Sequence, residues 1–555
     1  MVRALRDDSF DYLIVGAGSA GCVLANRLSE DPKVSVALIE AGGKDNQLHV
    51  RMPAGLGRLM GDNPVWNWRF YTTPQTQLEG RQLFWPRGKG WGGSSSINGM
   101  IYTRGAAHDY DGWAKMGLDG WSYADLLPYF LKAETFDGPP APWHGTNGPM
   151  HVDVSPLDNP LYLAFLRACE EAGLPRNDDF NGAEQFGAGA YQRTIKRGER
   201  ASSSRAYLHP VLETRSNLTV ISSAMVSRVI IEQGEARGIE FVDEPGGLAE
   251  AVFADREVIL CAGAVQSPQL LMLSGIGPAH ELERQEIRVR CELPEVGENL
   301  QDHLDMALVY DVHQPITAHS AHSGWRKHRV SLQYLLTGGG PGADNLLQAG
   351  GFARSSEDQP HPDLQLHFVN APMIQHGLRG TGKDGMTIHI CHLHPESRGR
   401  ISLRSSDPFA PPLIDPNYLS AESDWKAMRA AVKLGQEIAG QKAFRPYRGR
   451  ERVPREPITN DETLMSAIRK HAETIYHPVG TCRMGVDEAS VVDEELRVRG
   501  VERLRVVDAS IFPKQISGNT NAPVIMIAEK AADMIRGRAP LKPIAPEAVF
   551  GTQQD

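Results

Sequence analysis

The chain has 555 residues, 41% hydrophobic and 23% charged, with a formal net charge of −10 and a pI near 6.0. That length exceeds one ordinary domain and suits two to four, and the composition is that of a soluble globular protein rather than a disordered or fibrous one. The acidic balance argues against a nucleic-acid phosphate backbone as partner, and no apolar run approaches the ~20 residues of a membrane span. The N-terminus shows no hydrophobic secretion core. Six cysteines without a Cys-x-x-Cys spacing read as reduced, mostly buried thiols, so a cytoplasmic protein is expected.

Phe10 to Val15 is a short apolar run ending in glycine, which predicts a buried parallel strand. Cys22, Val23, Ala25, Asn26 and Leu28 suit a helix packed on it, and Val34 to Ile39 reads as a second strand with Glu40 at its end. Strand, tight turn, helix, strand and acid together make a dinucleotide-binding βαβ unit. The proline-rich stretches 138–142 and 407–412, and the glycine-rich stretch Thr337 to Gly342, read as loops. Between 218 and 260 lie strands at 218–221, 226–231, 238–242 and 257–260. A second strand-rich stretch covers about 306–405, where 364–368 and 399–403 alternate as half-exposed strands. Ser423 to Ala439 and Asn521 to Ile535 read as helices.

In the first turn Gly16 permits the tight bend, Gly18 lets the backbone approach a pyrophosphate, and Gly21 lets helix and strand pack closely. The helix start at Ser19 and Ala20 offers free N–H groups to an anion. Glu40, nineteen residues past Gly21, is placed to accept ribose hydroxyls. The turn alone does not separate FAD from NAD. His389, His392 and His394 do not share one strand face, and no nearby cysteine or acid completes a convincing ligand set with them, so no metal is expected. Ser94, Ser95 and Ser96 lack the glycine frame of a nucleophile elbow.

Further motifs carry a resemblance. Gly88-Lys89-Gly90-Trp91-Gly92-Gly93-Ser94-Ser95-Ser96-Ile97-Asn98, then Gly263-Ala264-Val265-Gln266-Ser267-Pro268-Gln269, then Leu293 to His303, stand in order along the chain. With His477-Pro478-Val479-Gly480 downstream, the chain from about Asp11 to Ile535 resembles the glucose-methanol-choline (GMC) oxidoreductase family. That resemblance implies FAD as cofactor. It implies that Gly93 and Ser94 make room for the isoalloxazine ring, and that Asn98, Gly99, Met100 and Ile101 lie along its pyrimidine side and si face. Val226 and Ala262 would contact the adenine, Glu40 and its neighbour Ala41 the ribose side, and Asp508 and Ala509 the late loop that returns to the pyrophosphate. Ile97 stands where some members carry a histidine linked to the flavin, so the FAD is expected to be non-covalent.

Oxidising an alcohol on a flavin needs a base near the hydroxyl proton and a group that holds the oxygen. Histidine, with an ordinary pKa of about 6.5, suits the first role, and the resemblance assigns it to His477. Asn521 is expected to hold the substrate oxygen.

The expected architecture is an α/β protein. A Rossmann-like FAD-binding domain is built from residues 1–155, 200–305 and 475–540. A discontinuous substrate domain (156–199 and 306–474) is built on an antiparallel sheet. The expected reaction takes a small-molecule alcohol to an aldehyde or ketone, with oxygen or a quinone-like acceptor reoxidising the flavin. The rivals are a hydroxynitrile-type lyase that keeps FAD for structure, a choline dehydrogenase of the same family, and an NAD-dependent dehydrogenase. The Asn519-Thr520-Asn521-Ala522-Pro523 segment resembles the broad alcohol dehydrogenases more than the choline enzymes.

Overall fold

The computed structural model describes residues 3–61, 63–374 and 382–545. Along the chain come β1 (Arg3–Val15), α1 (Ser19–Leu28), β2 (Val36–Glu40) and α2 (Ala107–Lys115). β3 (Gly187–Ala190) precedes β4 (Leu218–Ser222), β5 (Met225–Glu232), β6 (Glu235–Val242) and β7 (Glu250–Leu260), and β7 leads into α3 (Gly263–Leu273). Then follow β8 (Leu304–Val312), β9 (Ala349–Ala353), β10 (Leu364–Val369), β11 (Gly385–His392) and the long α4 (Glu422–Gly440). β12 (Arg448–Val453), β13 (Ala472–Thr474), β14 (Leu504–Val506) and α5 (Asn521–Ile535) complete the framework.

One seven-stranded sheet has the order β4–β2–β1–β7–β6–β5, with β14 added beside β7. Its centre is parallel, because β2, β7, β4 and β14 each join a parallel neighbour, whereas β5 and β6 pair antiparallel at one edge. Leu13, Ile14, Leu38 and Ile259 are fully or almost fully buried, as strands covered on both faces must be. α1 packs beside α5, and Arg27 of α1 joins Glu529 of α5 through two bonds of 2.8 and 2.7 Å. A Cβ on Gly21 would come within 1.9 Å of the Gly16 carbonyl oxygen, so only glycine lets this helix start so close to the strand.

The second seven-stranded sheet, β12–β8–β11–β10–β9–β3 with β13 beside β8, is antiparallel throughout. α4 packs on β11 and β8, at Gly435, whose missing Cβ would lie 2.4 Å from Ile390 and 2.6 Å from Leu308. The alternation in β10 predicts a half-exposed strand, yet all six of its residues are buried. Phe368 stacks on Phe165 and Phe444, with ring centroids 4.9 and 5.9 Å apart, while His367 lines an internal cavity. Of the two polar positions of β10, His367 marks a cavity wall instead of solvent, and Gln365 bonds Tyr191 and Asn519 inside the protein. Among the described residues no helix is long and apolar enough to cross a membrane, and all six cysteines are unpaired.

Candidate active site

A cavity of about 590 Å³ reaches from the first glycine turn to the second sheet, a size ordinary for ligand sites. Every candidate residue named above lines it except Gly21, which packs behind the turn. α1 and α5 both begin at this cavity, and Ser19 Oγ in the first turn of α1 donates to Asn521 Oδ1 at the start of α5, 2.7 Å away. Two helix N-termini therefore present amide groups to one place, which suits an anion such as a pyrophosphate.

Glu40 is buried, and its carboxylate accepts three backbone amides: Ala17 N at 2.8 Å, Gly42 N at 2.8 Å and Gly90 N at 2.9 Å. It thus joins the first turn to the glycine-serine loop as well as facing the cavity. At Gly93, φ is +51°, and a Cβ there would lie 2.8 Å from Gly18 Cα, so the two loops touch through bare backbone. Asn98 Oδ1 accepts Met100 N at 3.0 Å and Arg200 Nη1 at 2.8 Å. Arg200 also donates to the Ser95 and Asn98 carbonyls, and burial pulls its pKa down to about 9. Asp508 accepts Gly263 N, Ser267 Oγ and Ser510 N at 2.5–2.8 Å, so its carboxylate ties the late loop to the start of α3. A glycine cradle, paired helix starts and a carboxylate between them fit the dinucleotide that the sequence implies.

At the other end stands His477. Its backbone N–H donates to Asp302 Oδ1 at 2.8 Å, and its carbonyl accepts Gln515 Nε2 at 2.8 Å. Asp302 also accepts Thr474 Oγ1 at 2.6 Å and the Tyr418 hydroxyl, and burial pushes its carboxyl up to about 6. His477 Nδ1 lies 3.0 Å from His303 Nδ1, and His477 Nε2 lies 3.1 Å from Asn519 Nδ2.

The tautomers follow from two backbone carbonyls, which only accept. His303 Nε2 lies 3.0 Å from the Leu393 carbonyl, so it carries a proton, and His303 Nδ1 accepts from His477 Nδ1–H. The other end gives the same result. The Tyr191 hydroxyl donates to the Leu366 carbonyl at 2.7 Å, so it accepts Gln365 Nε2, 3.2 Å away. That amide also donates to Asn519 Oδ1 at 3.1 Å, as does Thr103 Oγ1 at 3.1 Å. Asn519 Nδ2 therefore turns toward His477 Nε2, which must present its lone pair. Burial, then His303, His367 and Arg87, hold the His477 imidazole well below the usual histidine range, so it is neutral near pH 7.

The expected partner of His477 lies elsewhere in the structure. The asparagine beside His477 is Asn519, not Asn521. In Asn519-Thr520-Asn521 the two candidates sit two positions apart at a helix start, where they face different ways: Asn521 meets Ser19, Asn519 meets His477. Asp302, His303 and Arg200 were not singled out either. Asp302 and His303 end the Leu293 to His303 motif, so the signal was in the sequence, but nothing local shows that His303 meets a residue 174 positions away.

Comparison with known proteins agrees with these motifs. Two family models described as GMC oxidoreductase match residues 10–305 and 395–528. Mitochondrial choline dehydrogenase of Mus musculus is 45% identical over 550 residues, covering 98% of this chain and 92% of that protein. Oxygen-dependent choline dehydrogenase of Yersinia pseudotuberculosis is 46% identical over 538 residues, covering 96% and 94%. Among solved structures, pyridoxine 4-oxidase from Mesorbium loti superposes with a TM-score of 0.86 at 31% identity, covering 96% of this chain and 100% of that one. A formate oxidase superposes with a TM-score of 0.88 at 28% identity, covering 96% and 99%.

Proposed function

The chain belongs to the GMC oxidoreductase family and is an FAD-dependent alcohol oxidoreductase; from that premise we propose that His477 Nε2 takes the substrate's hydroxyl proton while Asn519 Nδ2 holds its oxygen. FAD, when bound, supplies the hydride acceptor. The observation that carries this reading is the unprotonated Nε2 of a neutral, buried imidazole, 3.1 Å from an amide donor at the cavity wall. As the hydroxyl proton moves to His477 Nε2, the second Nδ2–H of Asn519 stabilises the charge left on oxygen.

We assign residues 1–155, 200–305 and 475–540 to FAD and 156–199 with 306–474 to substrate, in keeping with the two sheets. A cytoplasmic setting belongs to the same proposal and is supported by the unpaired thiols. Ile97 lines the cavity beside Asn98 and offers no nucleophile, which supports non-covalent FAD. The substrate end is walled by imidazoles and apolar groups, among them His319, His322, His367, Val369 and Met373, in keeping with a small alcohol. Choline is the second reading, favoured by the names of the relatives at 45–46% identity.

An alcohol panel including choline, added anaerobically to the purified holoenzyme, should bleach the flavin absorbance. Acid precipitation should release all the colour to the supernatant. Reoxidation with air, compared with an artificial quinone, identifies the acceptor. A flavin that no alcohol bleaches would sink the oxidoreductase assignment of this site and favour the lyase.

A further inference from the structure

A second cluster of ligating side chains lies outside the cavity, behind the loop that carries Asn519. His108 and Asp109 stand in the first turn of α2, His394 follows β11 by two residues, and Ser517 precedes Asn519 by two. The ligand atoms of His108, Asp109 and His394 all lie within 4.8 Å of one another. His108 Nε2 is 3.4 Å and His394 Nε2 4.0 Å from Asp109 Oδ1. Ser517 Oγ sits among the three, 3.3 Å from His108 Nε2, 3.0 Å from His394 Nε2 and 2.9 Å from Asp109 Oδ1.

The carboxylate is pre-set for this arrangement. Its Oδ2 accepts Ala106 N at 2.7 Å and Ser517 N at 2.8 Å, which leaves Oδ1 turned toward both imidazoles. The Asp109 side chain is 1% exposed, whereas those of His108 and His394 are 26% and 35% exposed, so the cluster opens to solvent on its histidine side. The His361 ring stacks on His108, with centroids 3.9 Å apart and planes 8° from parallel, and limits rotation of that imidazole. A tetrahedral zinc ion with bonds of about 2.0–2.1 Å has ligand–ligand edges of about 3.3–3.4 Å. The edges to Asp109 and Ser517, 2.9–4.0 Å, bracket that spacing, and the remaining edge, from His108 to His394, is no longer than 4.8 Å. Two imidazoles and one carboxylate select borderline first-row cations over magnesium or calcium, which prefer all-oxygen shells.

We propose that His108, Asp109 and His394 form a binding site for a divalent transition-metal cation of the zinc class, completed by Ser517 Oγ or water. Binding is coordination without electron transfer: each imidazole gives a lone pair, and any proton it held there moves to Nδ1 or to solvent. The ion would tie three distant segments together. Two of them support the reaction dyad: the Ser517 loop leads to Asn519, and Leu393, next to His394, supplies the carbonyl that sets the His303 tautomer. Unlike His477 and Asn519, none of the three ligands lines the cavity, so the site is separable from substrate binding.

The test uses tag-free holoenzyme dialysed against a chelator, then titrated with zinc chloride by calorimetry and by thermal unfolding. The expected result is one saturable equivalent per chain and a rise in melting temperature, with magnesium giving neither. In the double variant His108→Gln/His394→Gln, affinity should fall about tenfold or more and the thermal shift should vanish. The FAD content and circular dichroism of that variant should match the parent; if they do not, the two single variants carry the comparison. Absence of saturable zinc binding up to millimolar concentration overturns the proposal. So does binding of equal stoichiometry and affinity in the parent and in variants that keep their fold, because Ser517 then serves only as a hydrogen-bond hub.

Discussion

At the scale of single residues, the reaction end of the cavity is a line of hydrogen bonds pinned at both ends by backbone carbonyls, Leu393 on one side and Leu366 on the other. This gives His477 and Asn519 unequal, testable weights. Removing a general base costs about 10²–10⁴ in rate, so His477→Ala should retain FAD and reduce it that much more slowly in anaerobic stopped flow. Asn519→Ala should slow the same step by less, since water replaces one neutral hydrogen bond. Asn521→Ala should leave the reduction rate per bound flavin near native and lower flavin retention, because its partner is Ser19 at the anion-binding end. If Asn521→Ala slows reduction more than Asn519→Ala, the roles are reversed. The sequence points to His477 because its motif is long, and the structure places that residue at the cavity. That Asn519 rather than Asn521 faces His477 depends on how α5 enters the fold, and no local pattern encodes that.

At the scale of elements, the order of the first βαβ unit was readable, namely a strand through Val15, the glycine turn, α1 and the acid ending β2, although β1 begins seven residues before the apolar run. What the sequence did not reveal is that the acid also serves the protein's own backbone. Glu40 receives amides from its own strand end, from the first turn and from the glycine-serine loop fifty residues on, so it braces the site before any cofactor enters. Glu40→Gln replaces one accepting oxygen with an NH₂ group that meets at least one of these N–H donors head-on. A charge-assisted bond is worth about 1.5–3 kcal/mol, and an orphaned buried donor adds a cost of its own. The variant should therefore purify with reduced FAD occupancy, and its apoprotein should also melt below the parent apoprotein. A loss of occupancy with an unchanged apoprotein melting point would return Glu40 to a cofactor contact only. β10 makes a matching point: its alternating pattern was read as solvent contact because a polar cavity wall and a wet surface leave the same mark on a strand.

At the scale of the whole molecule, the two sheets are assembled from segments far apart in sequence. β1 pairs with β7, β7 with β14, and β3 joins β9. Strand order could not be read from the sequence, since pairing across hundreds of residues leaves no periodic trace. The same long-range packing buries several histidines without counter-charges, and that has a consequence for stability. Burial holds His303 and His477 well below the ordinary value and brings His367 down to about 3. In the unfolded chain these groups titrate near 6.5. Between that value and the folded ones, the unfolded state binds more protons, so stability rises with pH. Above about pH 6.5 the penalty is absent; as pH falls below it, each such histidine costs up to about 1.4 kcal/mol per pH unit. Asp302, pushed up to about 6, works in the opposite direction, because its folded carboxyl gains a proton before the unfolded one does. A bare pH profile therefore mixes the two, and the clean measurement is a difference. The midpoint of urea denaturation of the apoprotein, compared between parent and His367→Gln at about pH 5 and about pH 7.5, should show the variant gaining on the parent at the lower pH. A gap that is constant with pH would mean that His367 is not held neutral by burial, and that the cavity wall it forms is wetter than the structure indicates.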